Sequence, residues 1–169
     1  MQRPAPFQDG GEDSFDYDIA SWGPVAVGVG AQAVDAAVAR LVALGARIVD
    51  VDCRSADAVN RALYDETDDR NLDTTGLHFS LDGLNDVLRG LKFPGSGRLV
   101  FVLRAFEGRS DIPMQHREAL VDMLAKQAWD HLLTGNLLLV LLETRSKVPK
   151  YQYGSFLSGF SASEQLTWL

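Results

Sequence analysis

A single cysteine, Cys53, stands in 169 residues, so the chain cannot form an internal disulfide. Its three histidines, His78, His116 and His131, show no HxxxH pair and no cysteine or carboxylate at metal-ligand spacing, and no metal site is expected. No apolar run approaches the roughly 18 residues that cross a bilayer, and LLLVLL at 137–142 is far too short. The amino terminus, MQRPAPFQDGGEDSFDYD, is acidic and lacks the apolar centre of a signal peptide. These features give the expectation of a cytoplasmic protein that does not contact membrane. Basic residues are also the minority: 16 Lys and Arg against 23 Asp and Glu leave a formal charge of −7. Nucleic-acid phosphate is therefore an unlikely ligand on electrostatic grounds, and a basic protein is the expected partner. Neither a solenoid repeat nor a low-complexity segment is present.

What the chain does contain is an alternation of strand-like and helix-like segments. Residues 1–18 carry Pro4, Pro6, Gly10 and Gly11 without periodicity and read as an acidic arm. VAVGV at 25–29 is strand-like, and AQAVDAAVARLVALG at 31–45 reads as a helix closed by Gly45, with Val34, Val38, Leu41 and Val42 as its buried stripe. RIVDVD at 47–52 is a strand. Ser55 then caps a helix at 56–66 that turns Val59, Ala62 and Leu63 inward. TDDRNLDTTG, 67–76, has turn chemistry. GRLVFVLR at 97–104 and NLLLVLLE at 136–143 are continuous apolar runs, as expected of strands covered on both faces. Between them, 115–132 reads as a helix with Leu120, Met123, Leu124 and Ala128 on one side. The fold class is α/β, a small parallel sheet covered by helices. Three core strands, 47–51, 98–103 and 137–142, are joined by 25–29 at one edge. The expected organisation is the arm 1–18, a βα extension 19–45, a core domain 46–143, and an aromatic tail 144–169 that packs on the domain or on a second subunit.

The most informative stretch is SLDGLNDVLRGL, Ser80 to Leu91. Leu81, Leu84, Val87, Leu88 and Leu91 make one apolar stripe, and Asp82, Asn85, Asp86 and Arg89 make the opposite face. Two carboxylates one turn apart repel by roughly 0.2–0.5 kcal/mol, so a helix shaped only for stability would place Lys at one of them. The pattern reads either as a solvated face or as an acidic platform for a cationic partner. Charge distribution favours the platform. From Asp52 through Asp86 there are nine acids and three arginines, and nine minus three places six of the seven net negative charges there.

Other constellations are weaker. Gly28-Val29-Gly30-Ala31-Gln32-Ala33 satisfies GxGxxG/A after a strand and before a helix, with Asp50 placed to receive a ribose, which is the pattern of a dinucleotide site. The chain does not continue into a second mononucleotide half, and close helix–strand packing demands the same small residues. His131 sits where a helix C-terminus favours a cation, and His78 beside Asp82 is the histidine of interest. No nucleophile elbow is present. Asp82 and Asp86 could serve as an acid–base pair only in a cleft that nothing implies. The chain is expected to be no enzyme and to need no cofactor.

LDGLNDVL, 81–88, resembles the LDALxDxL helix of the barstar family, intracellular inhibitors of bacterial ribonucleases. RIVDVDCRSADAVNRAL is similar to that family's first strand, turn and first helix. LVFVLRAFEGRSD at 99–111, with Arg104 and Phe106, is similar to its central strand and following loop, and LLLVLL to its closing strand. The resemblance spans residues 46–143. It implies an immunity protein or antitoxin that plugs the active site of a basic ribonuclease or toxin, with Asp82 and Asp86 in place of RNA phosphates. Asn85, His78 and Phe79 would lie alongside them. Three positions depart from the family. Leu77-His78-Phe79-Ser80 replaces its aromatic–Gly–x–Asn approach, Gly83 replaces an alanine, and its inhibitory glutamate falls at Lys126 or Gln127. A nucleotide-binding protein using Gly28, Gly30 and Asp50, or an adaptor with the same fold and no inhibition, are the alternatives.

Overall fold

The structure, a computed structural model, describes residues 23–67, 81–145, 160–161 and 166–168, without the side chains of 81, 82 and the last two segments. Its elements in chain order are β1 (Val25–Val29), α1 (Ala31–Ala43), β2 (Arg47–Asp52), α2 (Ala56–Tyr64), α3 (Leu81–Arg89), β3 (Arg98–Arg104), α4 (Met114–Leu133), β4 (Leu137–Thr144), β5 (Phe160–Ser161) and β6 (Leu166–Trp168). The fold is α/β, as the alternation of strands and helices predicts.

The apolar runs are strands because both sheet faces are covered, and the two-residue period of a strand divides their side chains. Leu99, Phe101 and Leu103 of β3 face one way, into a core shared with Val59 and Leu63 of α2, Leu84 and Leu88 of α3, and Leu120 and Leu124 of α4. Val100 and Val102 face the other way, with Ala26, Leu139 and Leu141, against Val34, Ala37 and Leu41 of α1. Among the described residues one helix thus covers one face and three cover the other. Strand order is β2-β3-β4-β1-β6-β5. The first four strands are parallel, with β1 at the end of the parallel set as expected, and Val25 lies opposite Val140. β6 then adds to β1 in antiparallel sense, so part of the tail pairs with this chain's own sheet. Segment 25–45 is structurally one with 46–143, because α1 supplies a whole layer.

The stripe of α1 differs from its expected one. Ala37 is buried and Val42 is 52% exposed. The cause is helical phase: the buried positions are Ala33, Val34, Ala37 and Leu41, and Val42 is turned about 100° beyond Leu41. Gly28 is where α1 comes closest, since a Cβ there would lie 2.5 Å from Val34 Cγ2.

Loop 105–112 ties the carboxyl end of β3 to the start of α2. Ser55 Oγ accepts from Ala58 N, and Asp111 Oδ1, 55 residues away, accepts from Ala56 N at 2.8 Å. Two of the unpaired amides of that helix start are thereby satisfied. Arg117 is buried under the same loop and donates through Nη1 to the carbonyls of Phe106 and Gly108.

Candidate partner-binding face

Helix α3 is fastened through its apolar stripe. Leu84 and Leu88 are buried, each side chain contributing about 1.5–3 kcal/mol of burial. Two polar bonds from α4 set its orientation. Gln127 Nε2 donates to Asn85 Oδ1 at 3.1 Å, and His131 Nε2 donates to the Leu88 carbonyl at 2.9 Å. The His131 ring also leans on Phe93, with centroids 4.8 Å apart. His131, expected to serve its own helix end, closes the end of α3 as well, because donors at 127 and 131 lie one turn apart on α4 and meet acceptors at 85 and 88.

The opposite side of α3 faces outward. The Asp86 side chain is 82% exposed, and its ion pair with Arg89 is long at 3.6 Å. Gly83, one turn earlier, is exposed, and Arg89 is exposed too. Asn85 is only half-buried, but its side-chain oxygen is engaged by Gln127, which makes it a fastening residue of the helix. Of the two positions aligned with the family's glutamate, Gln127 is buried in that contact and Lys126 is exposed. His78 and Phe79, the capping Ser80, and the Asp82 side chain lie outside the described residues.

The excess charge near α3 is more divided than a count of acids suggests. Asp52 is bound bidentately by Arg54, with contacts from 2.6 to 3.1 Å, and those hydrogen bonds hold its carboxyl below the usual range. Asp57 pairs with Arg61 at 2.5 Å. Glu66 is buried: Arg47 meets Oε1 at 2.8 Å, while among the described residues Oε2 has no hydrogen-bond partner. Burial outweighs the arginine and raises the Glu66 pKa. Asp68, Asp69 and Asp73 lie outside the described residues.

The turn after β1 is occupied by packing and ion pairs. Gly28 is pressed against Val34, and Gly30, at φ +79°, starts α1 and donates its amide to Thr144 O at 2.9 Å. Asp50 is held by Arg104 Nε at 3.1 Å, and the same guanidinium reaches Asp35 of α1 at 2.6 Å and Glu143 of β4 at 3.3 Å. Strand register brings this about, since Arg104 lies opposite Asp52 on β2, beside Asp50 on the same face. Asp50 is thus shared with this hub, its side chain still half exposed. Sequence reading could not find the hub, because its four members come from four elements.

Among the described residues no group of three His, Cys, Asp or Glu could hold a metal ion, and no helix is long and apolar enough to cross a membrane. The chain matches no model of a known protein family, no curated protein and no solved structure.

Proposed function

We propose that this protein is a barstar-like cytoplasmic inhibitor that occludes the active site of a basic ribonuclease or toxin with the acidic side of α3. The observation that carries the reading is Asp86: a carboxylate 82% exposed, weakly paired, on a helix held rigidly from behind by Leu84 and Leu88. A rigid helix presenting unshielded charge loses little entropy on docking, and steers a cationic partner. By the resemblance, Asp82 is the second phosphate mimic, and the approach to the helix through His78 and Phe79 completes the contact. The overall charge of −7 acts in the same sense at longer range.

The test is affinity capture from the native cell extract, identification of any basic ribonuclease retained, and inhibition kinetics with Asp82→Ala and Asp86→Ala. Each substitution is expected to weaken inhibition by about tenfold or more while leaving the unfolding midpoint nearly unchanged. Added salt is expected to slow association far more than it changes dissociation, since the Debye length is only about 8 Å at physiological ionic strength. Unaltered inhibition by both variants, or failure to inhibit any ribonuclease captured or purified, overturns the reading.

A further inference from the structure

Helix α3 belongs to a stretch of chain that begins after α2 and ends before β3, and the two ends of that stretch meet. Thr67 and Leu91 form an antiparallel bridge, and the Lys92 amide donates to the Glu66 carbonyl at 2.7 Å. Thr67 and Leu91 are both buried, and Thr67 Oγ1 donates to the Tyr64 carbonyl at 2.8 Å. Residues 66–67 and 91–92 are thus the neck of the stretch that carries α3.

A titratable group is enclosed in this neck. Arg47 Nη2, from the start of β2, meets one oxygen of the Glu66 carboxylate at 2.8 Å. The other oxygen, Oε2, is buried without a hydrogen-bond partner among the described residues. The charged groups that act on it are Arg47 of β2, Lys92 in the neck itself, and Asp65 at the end of α2. Burial is the largest influence and favours the neutral acid; the two cations oppose it and Asp65 reinforces it. A carboxylate oxygen buried without a donor has lost its hydration with nothing in its place, and it regains water only when the contacts around it part.

We infer that Glu66 is a proton-operated latch on this neck: protonated, it keeps residues 66–67 and 91–92 together, and ionised, it favours their parting. The closed neck holds the carboxyl away from water and the open neck returns it there, so the proton follows the closed form. By linkage, the neck is tightest below the pKa of the open form and loosens as pH rises through the raised pKa of the closed one. Leu84 and Leu88 keep α3 seated on the core meanwhile, which makes the parting a local opening distinct from unfolding. The latch acts on the chain that carries α3 and is independent of what that helix binds.

The experiment follows hydrogen exchange of single backbone amides by NMR in the full chain from pH 4 to 7.5, each rate referred to its intrinsic value. The Lys92 amide, which spans the neck, is expected to be at least about tenfold less protected than the core amides of Phe101 and Leu124. Its protection is expected to fall by roughly threefold or more as pH rises across that range. In Glu66→Gln, neutral at every pH, the protection of Lys92 is expected to stay flat. Arg47→Gln, which removes a cation that favours the ionised form, is expected to move the fall to higher pH. Protection of Lys92 that ignores pH in the wild type, the same fall in Glu66→Gln, or exchange of Lys92 no faster than that of Phe101 and Leu124 overturns the latch.

Discussion

Two acidic places on this molecule behave in opposite ways. At the carboxyl ends of the strands, Asp35, Asp50 and Glu143 converge on Arg104, whose side chain is 21% exposed. On α3, Asp86 stands almost fully in solvent with a distant arginine beside it. The first place has more carboxylates, and all three share one guanidinium that holds four elements together. The second has fewer and presents them. Capacity to bind a cation depends on what remains unpaired and accessible, and a count of acids along the chain does not measure that.

Substitutions can break the contrast. The largest effect is expected at the buried support of the open face. Leu88→Ala should cost about 2–5 kcal/mol in urea unfolding, since it leaves a cavity beneath α3. A midpoint close to that of the wild type would mean α3 is not anchored as described. Arg104→Ala should cost on the order of 2 kcal/mol, because three carboxylates are left facing one another, while Arg89→Ala should change stability by less than about 0.5 kcal/mol. Equal effects of the two arginines would erase the distinction between hub and open face.

The smallest effect sharpens the comparison through pH. Glu66 has a folded pKa raised above its ordinary value of 4.5 by burial. Its contribution to stability is fully present below the unfolded pKa and is lost as pH rises through the folded one. Asp52, lowered by the Arg54 hydrogen bonds, acts in the reverse sense, and its stabilisation is lost as pH falls through the folded pKa. Glu66→Gln removes the first term, so its unfolding midpoint relative to wild type should climb as pH increases from 4 toward neutrality. A difference that is flat across that range would show that Glu66 is not desolvated.

Much of the architecture was legible in the sequence. Continuous apolar runs bounded by glycine and charge marked β1, β3 and β4, and Leu84 and Leu88 sat where the helical period put them. Neighbours that lie far along the chain stayed hidden. Val42 counted as core, but the stripe that the sheet covers runs through Ala37 and Leu41 and leaves it outside. Asn85 read as part of the polar face, but its acceptor is taken by Gln127, 42 residues later. Asp50 fitted a ribose contact by spacing alone, and its guanidinium partner comes 54 residues on. Cys53 is buried, and desolvation pushes its thiol up to about 12.

The position of β1 has a consequence for biosynthesis. Among the described strands it is synthesised before the others, yet its parallel neighbour is β4, 115 residues later in the register of Val25 with Val140. Helix α1 likewise rests on Val100, Val102, Leu139 and Leu141, all synthesised after it. At bacterial or eukaryotic elongation rates of about 5–20 residues per second, the apolar sides of β1 and α1 wait several seconds without their cover. The β1–α1 unit is thus the described part of the nascent chain that waits longest for its cover, and the sheet closes around it only once β4 has been made.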